Sequence, residues 1–120
     1  MEIIKNILAV GVGSFIGGAA RYLVSLTLKG IGKGFPWATL AVNLAGCLMI
    51  GLLWRNAAEN TSWGLFLTVG LCGGFTTFST FSKEALTMLQ TGQMWGFASY
   101  IAISVLAGIA LVALGYYIGR

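Results

Sequence analysis

The chain contains no histidine, three acidic residues (Glu2, Glu59, Glu84), one proline (Pro36) and two cysteines among its 120 residues. Without histidine and with so few carboxylates, most proton relays, catalytic triads and metal sites lack their usual parts. Charge is scarce altogether, at 8% of residues, whereas a soluble domain carries about 25%. Hydrophobic residues make up 58% of the chain, and the mean hydropathy is +0.89. Such a chain has too little polar surface for water and is expected in a bilayer. Four spans of about 20 residues take up roughly 80 positions, which leaves no room for a separate soluble domain. The expectation is one all-α transmembrane domain over residues 1–120 that is not an enzyme.

Cys47 and Cys72 both fall inside apolar runs, so they are expected as small buried side chains without a disulfide. The seven basic residues are scattered, and nucleic-acid binding would need a basic stripe on one face. Hydrophobic segments cover about 4–29, 35–55, 63–90 and 94–118. No signal-peptide cleavage pattern precedes the first, so it is expected to remain as a span. Four spans put both ends of the chain on one side. That side holds Lys5, Arg55 and Arg120, and the other holds Lys29, Lys33 and Lys83, with Arg21 nearer the second. Orientation follows a Lys/Arg excess in cytoplasmic loops, and here there is almost none. Both orientations are therefore expected. Two oppositely inserted copies could pair about an axis in the membrane plane.

Glycine is abundant, at 18 residues. The pairs Gly13/Gly17 and Gly115/Gly119 have GxxxG spacing, and Ala41/Ala45 is a small-xxx-small pair; such spacings let membrane helices approach closely. The Gly11-Val12-Gly13 stretch has neither the spacing nor the preceding strand of a nucleotide loop. The glycine-rich stretch from Gly30 to Gly34 reads as a loop, with Pro36 near the start of the second helix.

The informative residues are polar ones at depths where polarity is unfavourable. Asn43 lies near the middle of the second span, where its carboxamide offers two donors and an acceptor. By itself it could simply tie helices together. The middle of the third span reads Gly73-Gly74-Phe75-Thr76-Thr77-Phe78-Ser79-Thr80-Phe81-Ser82. Two glycines followed by five Ser/Thr residues disfavour a continuous helix, so a break is expected near Gly73–Thr77. Broken backbone at that depth must be buried in protein or line a cavity, and freed carbonyls would suit a small cation such as Na⁺. Phe78 and Phe81 share a face of the second half-helix. They are either ordinary packing or rings that turn positive edges toward a small anion. Thr77, Ser79, Thr80 and Ser82 add hydroxyl donors, and Tyr100 and Ser104, one turn apart on the fourth helix, extend the set.

These residues resemble the small bacterial fluoride channels (Fluc, also called CrcB). The likeness runs through Gly18-Ala19-Ala20-Arg21-Tyr22, Thr39-Leu40-Ala41-Val42-Asn43-Leu44-Ala45-Gly46 and, most specifically, Gly73 to Ser82. It implies a dual-topology, antiparallel homodimer in the bacterial inner membrane, with two passive pores for F⁻. It implies a structural Na⁺ at the dimer centre on the backbone carbonyls of Gly73 and Thr76. The pore residues it implies are Asn43, Phe78, Phe81, Ser79, Thr80, Tyr100 and Ser104, with Arg21 near an aqueous vestibule, although snorkelling explains Arg21 equally well. Where the family sometimes carries a second serine one turn beyond Ser104, this chain has Gly108, so water or another helix would supply polar lining there. Glu84 either orients neighbouring hydroxyls or is a solvated carboxylate at a helix end.

The alternative is a small dual-topology, proton-coupled exporter of the multidrug resistance type. Such exporters carry a carboxylate inside the first span, where this chain has none because Glu2 precedes it. A purely structural subunit would leave the polar run unexplained, and a membrane enzyme would need more acids.

Overall fold

A computed structural model describes residues 2–30, 34–54 and 61–119. Lys33, Arg55, Glu59 and Arg120, which enter the charge count above, lie outside the described residues, as do positions 31–32 of the glycine-rich loop. The described chain is all helical. Helix α1 covers Glu2–Thr27 and α2 covers Trp37–Leu53. The third span is composite. It starts as α3 (Ser62–Leu65), loosens into a π-helical segment (Phe66–Cys72) and closes with a short turn, α4 (Gly73–Phe75). Two extended residues follow before α5 (Phe78–Gln90), and α6 (Met94–Ile118) completes the chain.

Three spans, Glu2–Thr27, Ser62–Gln90 and Met94–Ile118, are long and apolar enough to cross a membrane, and α2 is a shorter apolar helix of 17 residues. At 1.5 Å per residue α2 measures about 26 Å, slightly less than a hydrocarbon core of about 30 Å. Trp37 and Trp54 flank it, and Trp63 and Trp95 stand at the starts of the third and fourth spans. All four are exposed, as interfacial anchors are. Large apolar side chains such as Ile7, Phe15, Leu106 and Ile109 are likewise exposed, which only a lipid or protein environment tolerates.

The helices form two close pairs: α1 lies along the π-helical segment and α4, and α2 lies along α6. The first pair depends on missing side chains. A Cβ on Gly13 would come 2.9 Å from the Cα of Gly70, and one on Gly17 would run into the Leu71 carbonyl. The Gly115/Gly119 pair meets the backbone of Leu48 and Leu52 on α2. Ala41 and Ala45 behave differently. Both are exposed, because α2 turns Gly46 and Gly51, not its alanines, toward its neighbours within the chain.

The α5–α6 connection is tight. Gly92 at φ +81° closes α5, with its N–H to Leu89 O and the Gln93 N–H to Met88 O. This is a Schellman motif, which glycine fits because a left-handed residue is needed. It folds α6 back so that Tyr100 lies beside α5 in a cluster with Leu40, Ala85 and Met88.

Candidate functional site: a polar break inside the membrane

The helical path of the third span stops at Phe75. Thr76 (φ −86°, ψ 159°) and Thr77 (φ −149°, ψ 115°) are extended, a conformation that suits β-branched side chains. The break lies at the C-terminal edge of the expected interval. Gly73 and Gly74 stay helical, and Gly74 packs so closely on α1 that a Cβ there would come 2.6 Å from the Ser14 carbonyl oxygen. Gly73 is exposed with no such contact, and the two extended threonines form the break.

Opening a helix frees backbone groups that must be paired in a bilayer. The Thr77 N–H, which would reach Gly73 O in a continuous helix, donates to Asn43 Oδ1 at 2.8 Å. Asn43 Nδ2 in turn donates to Thr77 O at 3.1 Å. One carboxamide thus holds both backbone groups of one residue. The Thr80 N–H, helical partner of Thr76 O in an unbroken helix, donates to Thr77 Oγ1 at 3.2 Å, capping α5. Arg21 Nε donates to Gly74 O at 3.3 Å, replacing the Phe78 N–H there. Arg21 therefore serves the break itself. The Gly73 and Thr76 carbonyls are left without their helical partners.

The hydroxyls form a second layer. Thr77 Oγ1 donates to Thr80 Oγ1 at 3.1 Å and lies 3.4 Å from Ser79 Oγ. Ser79 is exposed and Thr80 half-buried. Of the two readings open to Glu84, the structure selects the one in which it orients hydroxyls. Its carboxylate accepts from Tyr100 OH at 2.9 Å and from Thr39 Oγ1 at 3.0 Å, so it orients two buried hydroxyls. Nothing local to Thr39 signals a carboxylate partner 45 residues away.

The aromatic rings continue this arrangement. Phe78 and Phe81 have ring centroids 5.7 Å apart, and Phe81 lies 4.9 Å from Tyr100. Phe81 is half-buried, Tyr100 is fully buried, and Phe78 is 78% exposed on the single chain. Ser104 Oγ is buried with no hydrogen-bond partner among the described residues. Gly108, one turn further, is buried against Cys47.

Two hollows adjoin the break. One of about 350 Å³ is lined by Asn43, Cys47, Gly73, Thr76, Thr77 and Phe78, among others. A smaller one of about 60 Å³ lies between Arg21, Ser25, Thr39, Thr77 and Thr80. Among the described residues no three His, Cys, Asp or Glu side chains come together, so a cation at the break would rely on oxygens of the backbone and hydroxyls.

Apolar helices interrupted at mid-span over paired polar groups define a multi-pass integral membrane protein with an intramembrane polar site. The chain belongs to the CrcB family, described as CrcB-like protein, Camphor Resistance (CrcB), which matches residues 8–116. A relative from Desulfotalea psychrophila named fluoride-specific ion channel FluC is 42% identical, with 100% of this chain and 96% of the relative covered. Relatives of the same name come from Phocaeicola vulgatus (42% identical, 97% of this chain, 99% of the relative) and Chlorobium phaeobacteroides strain BS1 (40% identical, 95% and 92%). These names are those of channels, and the family is one of transport rather than catalysis.

Proposed function

We propose that this chain is a passive, fluoride-selective channel of the bacterial inner membrane. It works as an antiparallel homodimer with two pores, and it protects the cell when HF enters from acidic surroundings and releases F⁻ inside. The observation that carries this reading is the break at Thr76–Thr77, where hydroxyls, one amide and two phenylalanine rings gather at mid-span beside the Arg21 guanidinium.

The chemistry suits a small, strongly hydrated anion. To leave water, F⁻ needs donors in place of its hydration shell, and to leave the protein it needs donors that hold it only moderately. Hydroxyls at Ser79, Thr80 and Ser104, the second Asn43 amide N–H and the positive ring edges of Phe78 and Phe81 meet both needs, while Tyr100, whose O–H is given to Glu84, lines the path beside Phe81. Fixed charges along the path would trap the ion. Selectivity over Cl⁻ follows from a narrow path whose donors suit the smaller ion.

Dimerisation is supported by exposure. Phe78, Gly73 and Ser79 are all exposed on the single chain although they sit at membrane depth, and a second copy packed on this face would enclose them. The near-even split of basic residues favours opposite insertion of that copy. The Gly73 and Thr76 carbonyls, released from helical pairing, fit a hard cation by donor type. Na⁺ bound there supplies positive charge to the dimer centre. The chain's own part is to hold those two carbonyls open, through the Asn43 and Thr77 bonds that engage their former partners.

A growth test addresses the reading directly. Expression in bacteria lacking their own fluoride export should restore growth in fluoride medium; failure of well-expressed, membrane-inserted protein to do so would count against it.

A further inference from the structure

We infer that the Cys47 thiol is a donor of the conduction path, the one that serves the level of Gly108; this rests on the fluoride-channel reading above. On α2, Thr39, Asn43 and Cys47 follow one another at single-turn intervals and share a face. The first two are engaged, Thr39 with Glu84 and Asn43 with Thr77. Cys47 is half-buried and lines the same 350 Å³ hollow as Asn43, Thr77 and Phe78. On α6, Tyr100, Ser104 and Gly108 repeat at the same interval. Tyr100 bonds Glu84, and Ser104 Oγ is buried without a partner among the described residues, as a donor kept for a transient ligand would be.

The two columns meet at the third level. A Cβ on Gly108 would lie 3.3 Å from Cys47 Sγ. The thiol therefore occupies the space into which a side chain at position 108 would project. Cys47 lines the hollow while Gly108, buried behind it, leaves room for the sulfur, so the polar group at this level comes from α2. Sulfur is a weak donor, which suits an ion that must pass on.

Packing and donation predict opposite orders of variants. If Cys47 is only a small apolar filler, Cys47→Ala is the milder change and Cys47→Ser the harsher, since a buried hydroxyl without a partner is unfavourable. If Cys47 donates to the anion, Cys47→Ser keeps the flux and Cys47→Ala loses it. The second helix offers a rescue. In the Cys47→Ala background the space beside Gly108 is open, so Gly108→Ser can bring a hydroxyl back to that level. In the native chain the same Gly108→Ser change must push against Sγ.

The experiment is fluoride efflux from liposomes carrying the full-length wild type, Cys47→Ala, Cys47→Ser, Gly108→Ser and Cys47→Ala/Gly108→Ser, with helicity and dimer fraction checked for each. The expected result is a loss of about tenfold in Cys47→Ala, equivalent to one hydrogen bond's worth of affinity. Cys47→Ser should stay within about twofold of wild type on the same scale. The double variant should be faster than Cys47→Ala alone, although Gly108→Ser by itself slows the channel. Wild-type flux in a folded Cys47→Ala protein, or Cys47→Ser slower than Cys47→Ala, would overturn the inference. A folded wild type that carries no fluoride would instead overturn the channel reading, and this inference with it.

Discussion

Asn43 on α2 pairs with both backbone groups of Thr77, accepting its N–H at 2.8 Å and donating to its carbonyl at 3.1 Å. The carboxamide thereby stands in for a neighbouring peptide and makes a broken helix tolerable inside a membrane. Replacement by alanine removes both partners at once. A buried donor or acceptor left unpaired costs about 1–3 kcal/mol, so Asn43→Ala should lower stability by at least about 2 kcal/mol on that scale. Asn43→Asp, neutral at this depth, keeps an acceptor for the Thr77 N–H and one O–H that can turn to its carbonyl, but bears the cost of staying protonated, so it should lie between. Thermal unfolding in detergent followed by circular dichroism checks the order; equal stability of all three proteins would contradict it.

The ring series Phe78, Phe81 and Tyr100 separates packing from electrostatics. Phe81 touches both neighbours and the Leu40–Met88 cluster. Phe81→Ile retains an apolar side chain of similar bulk and removes the positive ring edge. Fluoride flux should fall by about tenfold or more, the loss of roughly one donor interaction, with the dimer intact. Unchanged flux would leave ring edges without a part in conduction.

Tyr100 is fully buried and donates to a carboxylate, and bonds to charged groups contribute about 1.5–3 kcal/mol. Tyr100→Phe should destabilise the protein by about that amount. Thr39→Val should act in the same direction, because each variant leaves one Glu84 oxygen short of a donor. Flux and unfolding should be measured together. A Tyr100→Phe protein as stable as wild type would show that Glu84 finds its partners elsewhere.

Much of this arrangement was legible in the chain, for identifiable reasons. Long apolar runs mark the spans because burial in lipid demands them. Gly73 to Ser82 marks the break because helix-poor residues there have no local reason to persist. The exact site of opening was not legible: Gly73 and Gly74 are helical, and Gly74 serves a close contact with Ser14, a residue far away in sequence. The same holds for Ala41 and Ala45, whose spacing suits close packing but whose face points away from the chain. The π-helical Phe66–Cys72, which packs on Gly13 and Gly17 of α1, has no residue signature. Arg21 met its partner at Gly74 across 53 residues, and Glu84 its two hydroxyls on separate helices. Sequence shows which groups are polar at depth; tertiary contact decides which of them are consumed by structure and which stay available.

The freed carbonyls of Gly73 and Thr76 carry a cation prediction. Replacing Na⁺ throughout with a bulky organic cation should reduce the dimer fraction on size-exclusion chromatography, slow fluoride flux, or both. A dimer and a flux indifferent to the exchange would remove the reason for a cation at this position.

The most direct measurement is ion efflux from liposomes carrying the purified wild-type chain, followed with fluoride- and chloride-selective electrodes on matched vesicles. The account predicts rapid, passive F⁻ release with negligible Cl⁻ release. Absence of F⁻ release from vesicles shown to contain folded protein, or equal release of both ions, would contradict it.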